Sequence, residues 1–244
     1  MIKLLRNYLF LTLASLSITK ADDIFKGVKG PTNFQVDERI TYSKNNKNIE
    51  TITNNLILKY WDGDSTDTGK WAFINFPYRL ATFPNTNKGF GDVTFGLGPR
   101  GKIDNFHWFL YGALTMANGD QELSNNRYDI KAGTLVTYLT EDKEFEIDSA
   151  LEYNITGRND KGVNHSNEIY YGVLVGGKIN DKIRAINGLI SLIKYNGDFI
   201  LNSRSVFRYT FSPTIHLEII GDLSLANKNI PKSKSLGLFL RYNF

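Results

Sequence analysis

Two-residue alternation sustained over nine or more positions constrains this chain more than any other feature. In 236–244, Leu236, Leu238, Leu240, Tyr242 and Phe244 share one face, and Gly237, Phe239, Arg241 and Asn243 share the other. The stretch 213–226 sets Ile215, Leu217, Ile219, Leu223 and Leu225 against His216, Glu218, Asp222 and Ser224. The stretch 143–156 sets Phe145, Ile147, Leu151, Tyr153 and Ile155 against Glu144, Glu146, Asp148 and Glu152. A period of two is the signature of a strand, in which successive side chains point to opposite faces. Strands in soluble sandwiches are mostly about 5–6 residues long. Apolar faces of this length match the roughly 9–11 residues of a tilted bilayer crossing instead.

Turn signals recur about every 12 to 18 residues and divide the chain into twelve expected strands. They are 32–44, 48–61, 69–80, 88–100, 103–117, 126–139, 143–156, 166–179, 182–195, 199–210, 213–226 and 234–244. An amphipathic helix is nowhere indicated, and no low-complexity linker divides the chain. The fold class expected is all-β: one closed antiparallel transmembrane β-barrel of about 12 strands, with N- and C-termini periplasmic. Closure is required because hydrocarbon offers no partner to the backbone groups of an open edge. The final strand pairing with the first, through Phe34, Val36, Ile40 and Tyr42, would continue the lipid face.

The connections point the same way. On the rim that carries the termini, the expected turns at 101–102, 140–142, 180–181 and 212 are short. On the other rim, 81–87, 118–125, 157–165 and 227–233 are longer and polar. Such asymmetry is expected of an outer-membrane barrel. Two connections break it: 45–47 is short on the long side, and 62–68 is long on the short side.

Residues 1–21 read as a secretory signal peptide: Lys3 and Arg6, an apolar run from Tyr8 to Ile18, then Thr19-Lys20-Ala21, with cleavage expected after Ala21. The run is too short to span a bilayer as a helix. No Cys follows it, so a lipid-anchored form is not expected. Residues 22–31 form a short periplasmic N-terminal segment, and 32–244 the barrel. Removing the signal lowers the basic count from 29 to 26 against 25 acids, so the sequence pI near 9.0 is no argument for nucleic-acid binding. The absence of Cys excludes disulfides and thiolate metal sites. A mean hydropathy of −0.29 reads as soluble, but barrels evade averaging because only alternate residues face lipid.

The segment Leu236-Gly-Leu-Phe-Leu-Arg-Tyr-Asn-Phe244 resembles the C-terminal signature of bacterial outer-membrane proteins. The resemblance implies that Leu240, Tyr242 and Phe244 present this strand to the barrel-assembly machinery. More broadly, residues from about 70 to 244 resemble the outer-membrane family named for the meta-pathway of phenol degradation, often called transporters. The similar stretches are Gly89-Phe-Gly-Asp92, Gly112-Ala-Leu-Thr-Met-Ala-Asn-Gly-Asp120 and Leu151-Glu-Tyr-Asn154. Where that family tends to have Pro-Thr-Gly, this chain has Ala117-Asn118-Gly119. The resemblance implies a small barrel that admits organic compounds, aromatic ones included, and transfers no catalytic residues.

Inward-facing charges carry the functional signal, because Arg or Lys at mid-depth on the lipid face costs about 2–4 kcal/mol. The pore-lining candidates are Arg39, Lys131, Glu144, Glu146, Asp148, Glu152, Arg184, Lys194, Arg204, Arg208, His216, Glu218, Asp222 and Arg241. Asp37, Lys59, Arg100, Arg127, Asp129, Glu168 and Lys178 share their faces. An acidic ladder (Glu144, Glu146, Asp148, Glu152) stands apart from a basic one (Arg184, Lys194, Arg204, Arg208). Either these charges neutralise neighbours, with Lys131 near Glu152, Arg208 near His216 and Arg204 near Glu218, or opposing walls orient a solute. Charged rings are how pores select polar solutes, so the two readings are compatible. The inward registers of 69–80, 103–117 and 182–195 stay open, because apolar residues occupy both faces.

Twelve strands about 4.8 Å apart and tilted about 40° give a backbone diameter of about 24 Å and a free lumen of roughly 10 Å or less. Both a narrow pore and a plugged barrel fit that size. No enzyme is expected: the three His (His107, His165, His216) form no arrangement with a nucleophile. Gly96-Leu-Gly-Pro-Arg-Gly101 spells a dinucleotide fingerprint, but a strand follows where a helix must receive the pyrophosphate. No cofactor or metal constellation is visible. The expected function is passive uptake of small organic or polar solutes through a narrow charged lumen of the bacterial outer membrane. A non-transporting structural or adhesive barrel acting through its loops is the alternative. Expected partners are outer-membrane lipid, the assembly machinery and a small solute, with no nucleic acid; the oligomeric state is open.

Overall fold

The computed structural model describes residues 34–47, 49–62, 68–82, 86–120, 123–124, 126–159, 165–212 and 214–244. The expected signal peptide and the expected periplasmic segment 22–31 lie outside the described residues. Thirteen strands follow one another: β1 (Phe34–Asn45), β2 (Glu50–Trp61), β3 (Gly69–Thr82), β4 (Thr86–Phe90), β5 (Thr94–Ile103), β6 (Phe106–Thr115), β7 (Arg127–Leu139), β8 (Phe145–Asn159), β9 (Glu168–Asn180), β10 (Ile183–Lys194), β11 (Phe199–Ser212), β12 (Ile215–Lys228) and β13 (Ser233–Asn243). All belong to one antiparallel sheet that closes through β1–β2 and β2–β3. The barrel has 12 staves, with β4 the extra strand.

Closure falls where the alternation placed it. β1 pairs with β13 from Gln35–Asn243 to Asn45–Ser233, so Val36, Ile40 and Tyr42 lie level with Tyr242, Leu238 and Leu236 on the outer face. Phe34 and Phe244 finish the seam with ring centroids 5.8 Å apart, and the Phe244 amide donates to the Phe34 carbonyl at 2.9 Å. One acid breaks the outer apolar surface. Glu38 of β1 faces outward opposite Leu240 and Leu56, and accepts the Asn54 amide at 3.1 Å.

The expected strand 88–100 is divided in two. β4 pairs with the far half of β3 (Tyr78–Phe90) and β5 with its near half (Asn75–Thr94). Pro77 sits at the break, where it has no N–H for the ladder, and its carbonyl takes the Gly91 amide at 2.8 Å. Residues 116–120 are stitched onto the gap. Asn118 Oδ1 accepts from Val93 N at 2.9 Å, Asp92 Oδ1 from Gly119 N at 3.0 Å, and Asp120 Oδ2 from Phe90 N at 2.7 Å. The two stretches Gly89–Asp92 and Ala117–Asp120 therefore meet. Both need glycine: a Cβ on Gly89 would come 1.8 Å from Asp120 Oδ2, and one on Gly119 2.6 Å from the Gly91 carbonyl carbon.

Several turns differ from expectation. The turn expected at 101–102 occurs at Asp104–Asn105, with Asp104 at φ 49°. Asp and Asn tolerate that left-handed conformation, whereas Gly101 stays in the ladder opposite Trp108. On the rim away from the termini the connections 83–85 and 229–232 are short because their flanking strands extend further than the hydropathy shows. Asn196-Gly197 makes a further tight turn on that rim, with Gly197 at φ 81°. The rim asymmetry thus rests on two long connections, 116–126 and 160–167. On the opposite rim the Asp142 carboxylate accepts the Thr140 hydroxyl and the Glu144 amide, which holds it below the usual carboxylate range.

The alternation makes a direct prediction about stability. Leu238 faces outward midway along β13, so Leu238→Arg should cost about 2–4 kcal/mol in urea unfolding from lipid vesicles, while Leu238→Phe should be nearly neutral.

Candidate functional site

The candidate site is the lumen, and the pairings fix which side chains line it. Odd positions point inward on β1, β2, β3, β6, β7 and β13, and even positions on β5, β8, β9, β10, β11 and β12. This resolves the three open registers. β3 turns Trp71 and Phe73 inward, β6 turns Phe109 and Tyr111 inward, and β10 turns Arg184, Ile186, Ile190 and Lys194 inward. Both faces of these strands are apolar because part of the lumen wall is itself hydrophobic.

The charged residues form linked pairs. Asp37 is fully buried between Lys59 Nζ at 2.6 Å and Arg241 Nε at 3.1 Å, and accepts the Gln35 amide. Glu146, also buried, receives Arg208 Nη1 at 3.2 Å and Arg184 Nη1 at 3.2 Å. Arg208 donates through Nε to Glu218 at 2.6 Å, and Arg204 grips Asp222 with two bonds of 2.7 and 2.9 Å. Arg204 is therefore opposite Asp222, four residues from the expected Glu218, and Arg208 is opposite Glu218, two residues from the expected His216. β11 runs on to Ser212, with a register shift at Thr210, and so moves the turn. His216 meets Thr210 instead, Oγ1 to Nδ1 at 3.2 Å.

Lys131 lies 3.3 Å from Glu152, as the sequence led us to expect, and Lys194 lies 3.6 Å from Glu168. Asp148 accepts the Thr137 hydroxyl at 2.6 Å and has no ion-pair partner among the described residues. Glu144 leaves the set: it precedes β8 in an exposed turn at the rim. Arg39 stacks its guanidinium 4.8 Å from the Phe239 ring centroid, and Arg241 stands 5.1 Å from the same ring. Around Phe239 the wall is apolar, with Ile186, Val206 and Ile220 buried and Leu174 packed against them. The acidic and basic ladders meet at Glu146, which takes Arg184 and Arg208, whereas Glu152, Lys194 and Arg204 pair with residues outside the ladders.

The aromatic wall was not expected from the charge pattern. Trp71 stacks on Phe73 with centroids 5.2 Å apart, and meets Phe109 and Tyr111 edge-on at 5.3 and 5.8 Å. The Trp71 indole N–H reaches across β5 to the Leu110 carbonyl at 2.9 Å. Small residues let these rings lie flat against the wall: a Cβ on Gly96 would come 2.5 Å from the Phe73 ring, and one on Gly133 2.5 Å from Tyr111. The Tyr111 hydroxyl donates to Glu152 at 2.6 Å. Inward parity combined with glycine on the neighbouring strand was the available signal.

Between the two walls, in the half of the barrel nearest the termini, lies a cavity of about 260 Å³. Trp61, Trp71 and Phe109 line one side; Arg241, His216, Arg208 and Asp148 line the other. At the opposite mouth the Arg79 guanidinium donates to the Leu123 carbonyl at 2.7 Å and holds part of the β6–β7 connection over the lumen. Among the described residues no cluster of His, Asp and Glu could hold a metal ion.

Removing a buried counter-charge should cost more than removing a solvated one. Glu146→Leu removes the buried carboxylate that Arg184 and Arg208 share and should destabilise the barrel by about 3 kcal/mol in denaturant unfolding. Lys194→Ala, at a partly exposed pair, should cost less than about 1 kcal/mol.

Solved structures share this architecture. The COG4313 outer membrane channel from Pseudomonas putida F1 superposes with a TM-score of 0.71 at 14% identity, covering 93% of this chain and 100% of that one. The NanC porin gives a TM-score of 0.58 at 14% identity over 86% of this chain and 100% of its own. The KdgM porin, solved in complex with disordered oligogalacturonate, gives 0.57 at 8% identity over 86% and 99%. No curated protein sequence matches the chain. A family model described as "Putative MetA-pathway of phenol degradation" matches residues 26–228, and the chain belongs to that family.

Proposed function

We propose that this protein is an outer-membrane channel that passes small organic solutes down their gradient. The observation that carries the reading is the cavity of about 260 Å³ between an aromatic wall and a charged wall inside a closed barrel. A barrel that served only as a scaffold would have no need of a hollow lined by both tryptophan and guanidinium. The fold shared with a channel and two porins supports the reading, as does membership of a family named for phenol degradation.

In this account the chain is exported, loses residues 1–21, and is recognised by the assembly machinery through the alternating end of β13. Leu240 and Tyr242 face outward there, and the Tyr242 and Phe244 rings pack at 4.4 Å. The short-turn rim with both termini faces the periplasm. Transport is diffusive, so no covalent step, cofactor or metal is invoked, and the side chains act by sizing and orienting the solute. The narrow bore favours molecules of one ring or a few carbons.

Liposome swelling with refolded protein tests the reading. Vesicles should swell in small organic solutes and remain intact in oligosaccharides too wide for the bore. Vesicles that contain correctly folded barrel and swell in neither would contradict it.

A further inference from the structure

The cavity is polarised around its circumference. On one side β2 and β13 contribute Lys59 and Arg241; across the barrel β8 contributes Asp148; β2, β3 and β6 fill the arc between them with Trp61, Trp71 and Phe109. The cationic end is biased outward. Asp37, which Lys59 and Arg241 share, is 0% exposed, whereas the Lys59 and Arg241 side chains are 22% and 26% exposed. The acid is sunk into the wall, and its two cations present their remaining N–H donors to the lumen. At the acidic end Asp148 accepts the Thr137 hydroxyl and stands beside the Glu146 carboxyl, with Arg208 near, and it turns its remaining acceptor capacity towards the cavity. A cation pair, an arc of aromatic rings and a carboxylate therefore follow one another around one small hollow.

We propose that this cavity is a binding site for small aromatic carboxylates that carry a hydroxyl on the far side of the ring. The carboxylate meets Lys59 and Arg241, the ring lies on Trp71 and Phe109, and the hydroxyl donates to Asp148. The volume of about 260 Å³ lies near the lower end of ligand pockets and suits a single ring. Charge-assisted bonds to guanidinium and ammonium fix the anionic end. Aromatic faces add affinity for a ring without demanding one exact position. An aromatic amine of the same size is held less well, because it leaves Lys59 and Arg241 without an anion and its own charge is repelled by both. The inference rests on the channel reading only for its physiological use; binding itself can be measured without transport.

Two of the three tryptophans, Trp61 and Trp71, line the cavity, so intrinsic fluorescence of the refolded full-length barrel reports occupancy. 4-Hydroxybenzoate should quench it saturably and benzoate more weakly, while at the same concentration acetate should leave it unchanged and benzylamine should quench far less than 4-hydroxybenzoate. Arg241→Gln should weaken 4-hydroxybenzoate binding at least about tenfold, the loss expected for one charge-assisted bond. Because that variant disturbs buried Asp37, the double variant Lys59→Gln with Asp37→Asn, which removes opposite charges together, should weaken it similarly. Asp148→Ala, which leaves no acceptor, should erase the preference for 4-hydroxybenzoate over benzoate. Equal quenching by benzylamine, or unchanged binding in the double variant, would overturn the proposal. Swelling without saturable quenching would defeat this inference and leave the channel standing; quenching without swelling would do the reverse.

Discussion

The backbone of a membrane-spanning sheet has to satisfy its own hydrogen bonds, and the rest of this structure depends on that constraint. Hydrocarbon offers no donor or acceptor, so each unpaired group costs several kcal/mol and an open edge would expose a row of them. β1 and β13 remove the last two edges by pairing along the whole of β13. Once the ring is closed, alternation leaves no freedom: one parity meets lipid and the other meets the lumen. A slip of β13 by one residue against β1 would put Arg241 into hydrocarbon and Leu238 and Leu240 inside, and would strip Asp37 of a partner. The seam therefore fixes both the lipid face and the composition of the lumen.

Closure also changes what charged residues do. In a lumen this narrow, long side chains from non-adjacent strands reach one another, and β8, β10, β11 and β12 join through Glu146, Arg184, Arg208 and Glu218. These contacts brace the wall from within, as a hydrophobic core would in a soluble domain. The apolar cluster around Phe239 supplements them at mid-barrel. The opposite arc, from β2 to β6, is braced by aromatic packing instead. That division leaves the hollow between two chemically different walls.

Much of this could be read from the sequence, and the gaps have physical causes. Strand positions and the inward parity of Arg39, Lys131, Glu146, Asp148, Glu152, Arg184, Lys194, Arg204, Arg208, His216, Glu218, Asp222 and Arg241 follow from charge set against an apolar stripe. Partner identity did not follow, because it depends on where the turn falls: β11 running on to Ser212 took Arg208 from His216 to Glu218 and Arg204 from Glu218 to Asp222. The break between β4 and β5 was hidden because it depends on a tertiary contact with residues 116–120. The aromatic wall escaped notice because Trp71 and Phe109 on an inward face look no different from lipid-facing residues until the register of β3 is known. Glu144 shows the limit of parity alone, since it has the right phase but lies beyond the strand.

The central claim is that Leu236, Leu238 and Leu240 touch lipid tails while Ile186, Val206 and Ile220 are enclosed. Methyl-detected NMR in nanodiscs, reading magnetisation transfer from acyl chains to assigned Leu, Ile and Val methyls, tests it most directly. The account predicts strong transfer to Leu236, Leu238 and Leu240 and none to Ile186, Val206 and Ile220. Transfer to the second group at the level of the first would contradict it.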